Sequence, residues 1–152
     1  MIFEKPPDFI AAAGRKKILS IDVSKNNIGL AVGDTETKIA SPLGRIERKN
    51  LKYDLAELKK HIAESNIGGM VIGLPLNMDG TEGSRCQSVR QFARDILKII
   101  AIPIIFFDER LTTFASAEIL DESGFTRQKR GGGVAIIRRG WVIKILITFY
   151  IA

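Results

Sequence analysis

Ile18-Leu19-Ser20-Ile21-Asp22-Val23-Ser24-Lys25-Asn26-Asn27-Ile28-Gly29-Leu30-Ala31-Val32 is the stretch that decides the fold. Its opening apolar run, Ile18-Leu19-Ser20-Ile21, is too short for a helix and reads as a buried strand. Asp22 to Asn27 supplies turn chemistry, and Ile28-Gly29-Leu30-Ala31-Val32 returns as a second strand. A hairpin with an aspartate at the mouth of its turn is the result.

Working outward, residues 39–46 form a third strand, in which Pro42 and Gly44 predict an edge or bulged position. Leu51, Leu55, Leu58 and Ile62 recur at helical spacing, with Lys59, Lys60 and Glu64 facing water, and Gly68-Gly69 is expected to stop that helix. Met70-Val71-Ile72 then gives a short apolar strand, followed by a loop from Gly73 to Gly83 with an Asp79-Gly80 turn. Ser84 and Gln87 predict a capping box for a helix whose Val89, Phe92, Ala93, Ile96, Leu97 and Ile100 share one face. Pro103 opens the strand Ile104-Ile105-Phe106-Phe107, which delivers Asp108-Glu109-Arg110 at its end. Thr112 or Thr113 is placed to cap a last helix through Leu120, with Gly124 to end it. This order predicts an α/β domain: a mixed five-stranded sheet flanked by helices. Ligands in such sheets collect at the carboxyl ends of parallel strands, where Asp22, the glycine-rich loop and Asp108-Glu109 emerge.

A chain of 152 residues with 45% hydrophobic content makes one domain with a single core. Its one cysteine, Cys86, forms no internal disulfide, and residues 1–17 hold no apolar stretch of signal-peptide length. The apolar tract of residues 142–152 is broken by Lys144 and falls short of the ~20 residues that cross a bilayer. The expected location is cytoplasmic, with no membrane association. The formal charge of +6 does not by itself name a polyanionic partner. All 17 acids precede Arg127, whereas Arg127, Lys129, Arg130, Arg138, Arg139 and Lys144 supply the whole excess. The clusters Arg15-Lys16-Lys17 and Arg45 with Arg48-Lys49 suit either phosphates or solvent.

Carboxylates from separate strands are what phosphodiester hydrolysis needs, since hard oxygen ligands hold divalent cations roughly 3.5 to 4 Å apart around the attacked phosphate. Taken alone, Asp22 is a turn-forming aspartate and Asp108-Glu109 a surface pair beside Arg110. Their convergence at one sheet edge favours a metal-dependent phosphodiesterase. Arg85 and Arg90 adjoin the loop at a helix start, a place suited to phosphate or to plain solvation. Arg110 either clamps a phosphate or orients Glu109. His61 is a boundary residue of its helix, Cys86 has a packing or surface role, and Phe106-Phe107 belongs to the core.

Four blocks carry a family resemblance: Ile21-Asp22-Val23-Ser24 with Ile28-Gly29-Leu30-Ala31-Val32; Ile39-Ala40-Ser41-Pro42-Leu43; Gly73-Leu74-Pro75-Leu76-Asn77-Met78-Asp79-Gly80-Thr81-Glu82-Gly83; and Asp108-Glu109-Arg110-Leu111-Thr112-Thr113. In this order, over about residues 17–130, they resemble the YqgF/RuvX family. The resemblance implies a ribonuclease H-like fold, kinship with Holliday junction resolvases, and a nuclease maturing the precursor of small-subunit (16S) ribosomal RNA. It implies Asp22 and Glu109 as catalytic ligands of Mg²⁺ or Mn²⁺, with Asp108 beside them. Asn77, Arg85, Arg110 and Thr112 are the candidate substrate contacts. The expected partner is nucleic acid, either precursor ribosomal RNA or branched DNA, with ribosomal association.

Past Arg130 the resemblance breaks. The family's last helix carries an aspartate that completes the ligand set, but here Gly131-Gly132-Gly133 follows and no acidic residue occurs after Glu122. Each glycine opposes helix by about 1 kcal/mol relative to alanine. Residues 1–126 are therefore read as the ribonuclease H-like domain and 127–152 as an atypical segment in place of that helix. The abrupt change suggests a shifted reading frame after Arg130; if neither other frame of the underlying nucleotides encodes an aspartate-bearing helix, the idea fails. Little or no cleavage is expected of a site short of one ligand. Two other classes stay open. One is an actin-like or sugar-kinase-like ATPase, suggested by the Asp22 to Gly29 hairpin but lacking room for a second lobe. The other is a binding module that keeps the fold without the chemistry.

Overall fold

A computed structural model describes residues 1–34, 36–37 and 39–108. The hairpin forms, with a shorter turn than expected: β2 (Lys17–Val23) runs antiparallel to β3 (Asn27–Asp34), and Asp22, expected in the turn, is a strand residue opposite Gly29. Ahead of it lie β1 (Ile2–Phe3) and α1 (Pro6–Ala13); behind it follow β4 (Ile39–Glu47), α2 (Leu51–Glu64), β5 (Ile67–Leu74), α3 (Ser84–Ile99) and β6 (Ile104–Asp108). The sheet has six strands rather than five, in the order β1-β6-β5-β2-β3-β4. The extra strand is β1, whose two residues pair with Ile104 and Ile105 on β6. A two-residue strand has no periodicity to recognise and takes its place by pairing with that distant partner. At the other edge β4 bears the expected irregularity: its register with β3 shifts between Leu30 and Ala31, and Gly44 sits at φ 125.

Strand alternation gives the sheet two distinct faces. On one, Leu19, Ile21 and Val23 of β2, Met70, Ile72 and Leu74 of β5, and Ile104 of β6 pack with Leu58 of α2 and Val89, Phe92 and Ile96 of α3. On the other, Ile18, Val71, Ile105 and Phe107 are buried outside that cluster, and α1 supplies Phe9 and Ala13. This second layer corrects the part assigned to Gly68-Gly69. The helix α2 ends before Ser65, the chain turns through Asn66 at φ 54, and both glycines lie inside β5. A Cβ on Gly68 would strike the Ala13 carbonyl oxygen, and one on Gly69 would stand 2.8 Å from the Phe9 ring. The glycines are there so that α1 can lie close. Phe9, 0% exposed, anchors that layer. Phe9→Ala is predicted to cost about 3 to 5 kcal/mol in urea unfolding of the full chain.

The two helix starts differ. Asn50 caps α2 by accepting the Tyr53 backbone N–H at 2.8 Å. The capping box expected at Ser84 does not form: α3 begins at Ser84 itself, the cap position is Gly83, and no side chain caps it. Starting one residue earlier takes the Ser84 hydroxyl out of capping position. Among the described residues no helix is long and apolar enough to cross a membrane.

Candidate active site at the carboxyl edge of the sheet

Because β2, β5 and β6 are mutually parallel, their carboxyl ends meet at one edge. Asp22 follows the Ile21–Ile72 pair by one residue and is therefore level with Gly73, which pairs with Phe107 on β6. These three positions share the face of Ile18, Val71 and Ile105. Two strand spacings, about 10 Å, separate β2 from β6, and Gly73 puts no side chain between them. Asp22 is half-buried. Asp108 pairs with Leu74 and falls on the opposite face, with Ile104 and Phe106. The two aspartates thus reach the same edge, but the sheet does not bring their side chains to the same side of it. Glu109, Arg110 and Thr112 lie outside the described residues, as does the segment 127–152.

The loop between β5 and α3 is internally braced. Asn77 and Thr81 are joined twice, by the Asn77 N–H donating to the Thr81 carbonyl at 2.9 Å and by Asn77 Nδ2 donating to Thr81 Oγ1 at 3.0 Å. The expected turn is closed by the Gly80 N–H donating to the Asn77 carbonyl at 2.9 Å, and Asp79 Oδ1 accepts the Thr81 N–H at 3.0 Å. Asn77 is thus a loop-building residue, at an exposed place beside the candidate site. Arg85 is exposed on the first turn of α3. Cys86 is buried, its Sγ 3.2 Å from the Pro75 carbonyl, a packing role.

Arg90 has a different task from Arg85. Its guanidinium forks onto the Glu82 carboxylate, with Nη2 donating to Oε2 at 3.0 Å, and lies 4.9 Å from the Phe106 ring centroid. It ties the loop to β6. The hydrogen bond from Arg90 holds the Glu82 carboxyl below its ordinary value of 4.5, and Glu82 holds the Arg90 guanidinium above its own. A depressed folded pKa stabilises the tie above about pH 4.5 and releases it as pH falls through the lowered value. In an NMR pH titration the Arg90 Nε–H signal is predicted to shift only in that acid range, and Glu82→Gln to abolish the shift.

A third arrangement escaped the sequence. Arg48, grouped above with Arg45 and Lys49 as a basic cluster, instead pairs with Asp54, which is buried within α2. The available signal was Asp54 itself, an acid adjoining the Leu51, Leu55, Leu58 stripe.

Among the described residues no three His, Cys, Asp or Glu side chains come together as a metal cluster. The Asp22 carboxylate is a hard oxygen donor of the kind that suits Mg²⁺ or Mn²⁺.

The family model described as "RuvX: Holliday junction resolvase" matches residues 16–135. The chain belongs to the RuvX family. Among its relatives is a protein of Rhodobacter capsulatus named "Putative pre-16S rRNA nuclease", 43% identical over 145 residues that span 95% of this chain and 91% of the relative. A protein of the same name from Roseobacter denitrificans is 39% identical over 147 residues, spanning 95% and 90%. Of solved structures, RuvC of Thermus thermophilus in complex with a Holliday junction substrate superimposes with a TM-score of 0.58 at 10% identity, covering 90% of this chain and 93% of RuvC. A second RuvC structure gives 0.57 at 12% identity, covering 89% and 93%. At such identity the likeness is one of fold, and this RuvX chain has the ribonuclease H-like architecture of RuvC.

Proposed function

We propose that this RuvX protein is a cytoplasmic, metal-dependent endonuclease that hydrolyses phosphodiester bonds at the carboxyl edge of its sheet and processes the 5′ end of precursor 16S ribosomal RNA, in association with the ribosome. The observation that carries the proposal is the placement of Asp22 level with Gly73 at the edge where three parallel strands end. The name borne by relatives about 40% identical along nearly the whole chain supports the RNA substrate.

Asp22 and Glu109 are the proposed ligands of Mg²⁺ or Mn²⁺. Glu109 is proposed in preference to Asp108 because the register turns Asp108 to the face opposite that of Asp22. When bound, a divalent cation supplies Lewis-acid polarisation of a phosphoryl oxygen and a more acidic water. Asp108 remains beside the pair in the catalytic block. Arg85, exposed where a helix N-terminus faces the edge, is suited to a backbone phosphate, and Asn77, Arg110 and Thr112 complete the proposed substrate contacts.

Cleavage of a four-way DNA junction is the second reading, favoured by the family description and the RuvC-like fold. The absence of any acid after Glu122 favours a third, a nucleic-acid or ribosome-associated module with impaired catalysis. Incubating the chain with precursor 16S RNA and with a four-way junction, with and without Mn²⁺, separates them. Mn²⁺-dependent cleavage of the RNA supports the proposal, cleavage of the junction alone supports the second reading, and binding without cleavage supports the third.

A further inference from the structure

Asp54 is 2% exposed, the most buried charged residue described. Its Oδ2 accepts from Arg48 Nε at 3.0 Å and its Oδ1 from the Lys49 backbone N–H at 3.1 Å. Arg48 then reaches across to the hairpin: Nη1 donates to the Ser24 carbonyl at 3.0 Å, and its backbone N–H donates to the Asn26 carbonyl at 2.8 Å. Its guanidinium lies 5.3 Å from the Phe92 ring centroid, over the core side of α3. The turn so gripped, residues 24–27, is closed by the Ser24 N–H donating to the Asn27 carbonyl at 2.9 Å, and it starts two residues after Asp22.

An ion pair with a buried carboxylate is a poor device for stability alone, because desolvating the Asp54 charge offsets much of its attraction to the half-buried Arg48. What a planar guanidinium fixed at both ends does supply is geometry. The pairs Asp22–Gly29 and Val23–Ile28 are the last rungs before the turn, so the place of the Asp22 carboxylate depends on how firmly residues 24–27 are held. We infer that Arg48, itself fixed by Asp54, is a positioning residue for Asp22, acting through the β2–β3 turn. The inference rests on Asp22 being a metal ligand.

The test is a Mn²⁺ titration of the full chain followed by paramagnetic broadening of NMR signals, together with thermal unfolding. The variants are Arg48→Met, Arg48→Lys, Asp54→Asn and Asp22→Asn, with Leu58→Ala as a destabilised control elsewhere on α2. Outer partners of metal ligands typically govern metal affinity by 10- to 100-fold. Arg48→Met and Asp54→Asn should therefore weaken the Mn²⁺ Kd by about 10-fold or more. They should also speed hydrogen exchange at Asn27, whereas Leu58→Ala lowers the Tm and leaves the Kd in place. Arg48→Lys keeps the charge beside Asp54 but not the fork, so it keeps the fold and still weakens binding; it decides the matter if the other two fail to fold. If the Arg48 and Asp54 variants lower only the Tm while Asp22→Asn abolishes binding, the positioning role is wrong and the ligand role of Asp22 stands. If Asp22→Asn binds Mn²⁺ as the parent does, or the parent binds none, both fall.

Discussion

Replacing residues 131–152 with the corresponding segment of the Rhodobacter capsulatus relative is expected to raise Mn²⁺-dependent cleavage of precursor 16S RNA by about 100-fold or more, and Asp22→Asn in that graft to return it to background. The chain has no acid after Glu122, while hydrolysis at a cation needs the attacking water held to within about 1 Å, a displacement that costs roughly 100-fold in rate. If the relative's segment carries the aspartate that the family resemblance implies, the graft supplies the proposed further donor. Asp108→Asn in the same graft should have a smaller effect than Asp22→Asn, because the register places Asp108 on the other face of the sheet. Initial rates with purified protein and end-labelled RNA check both statements. A graft no more active than the parent chain would show that the acid-free tail is not what limits it.

Gly68→Val is expected to destabilise the chain by a collision with backbone rather than by lost burial. A Cβ there meets the Ala13 backbone carbonyl and the Lys16 side chain, and a backbone neighbour cannot swing aside as a side-chain tip can. Overpacking of this kind costs about 1 to 3 kcal/mol, and the backbone collision puts Gly68→Val near the upper end. Urea unfolding measures the loss. Limited proteolysis should show earlier cutting within residues 1–16 as α1 lifts from β5. Wild-type resistance in that segment would contradict the packing described.

These two positions also mark how far the residues alone could be read. The hairpin around Asp22, the amphipathic spacing of α2 and α3, and the bulged edge at Gly44 were all legible, since each is set by local pattern. Gly68-Gly69 was not: a glycine pair after a helix signals a stop in sequence, yet here it answers to a helix more than fifty residues earlier. The strand β1 is invisible for the same reason, as its order comes from pairing with β6 and from the Phe3 ring meeting Phe9 of α1. Within the site, the meeting of three strand ends followed from the βαβ order, but the sidedness of Asp108 could not. A residue's face is fixed by register, and register is set by the packed partner rather than by spacing within the motif. Arg48 shows the complementary failure, a basic residue that reads as surface charge until its acid is found six positions on, inside a helix.

The most direct test is a crystal structure of the full chain soaked in Mn²⁺, read from the anomalous signal. The expected peak is coordinated by carboxylate oxygens of both Asp22 and Glu109, on the α1 face of the sheet, with Asp108 turned to the other side. A peak held by Asp108 without Glu109, or Asp22 and Glu109 too far apart to share an ion, would contradict it.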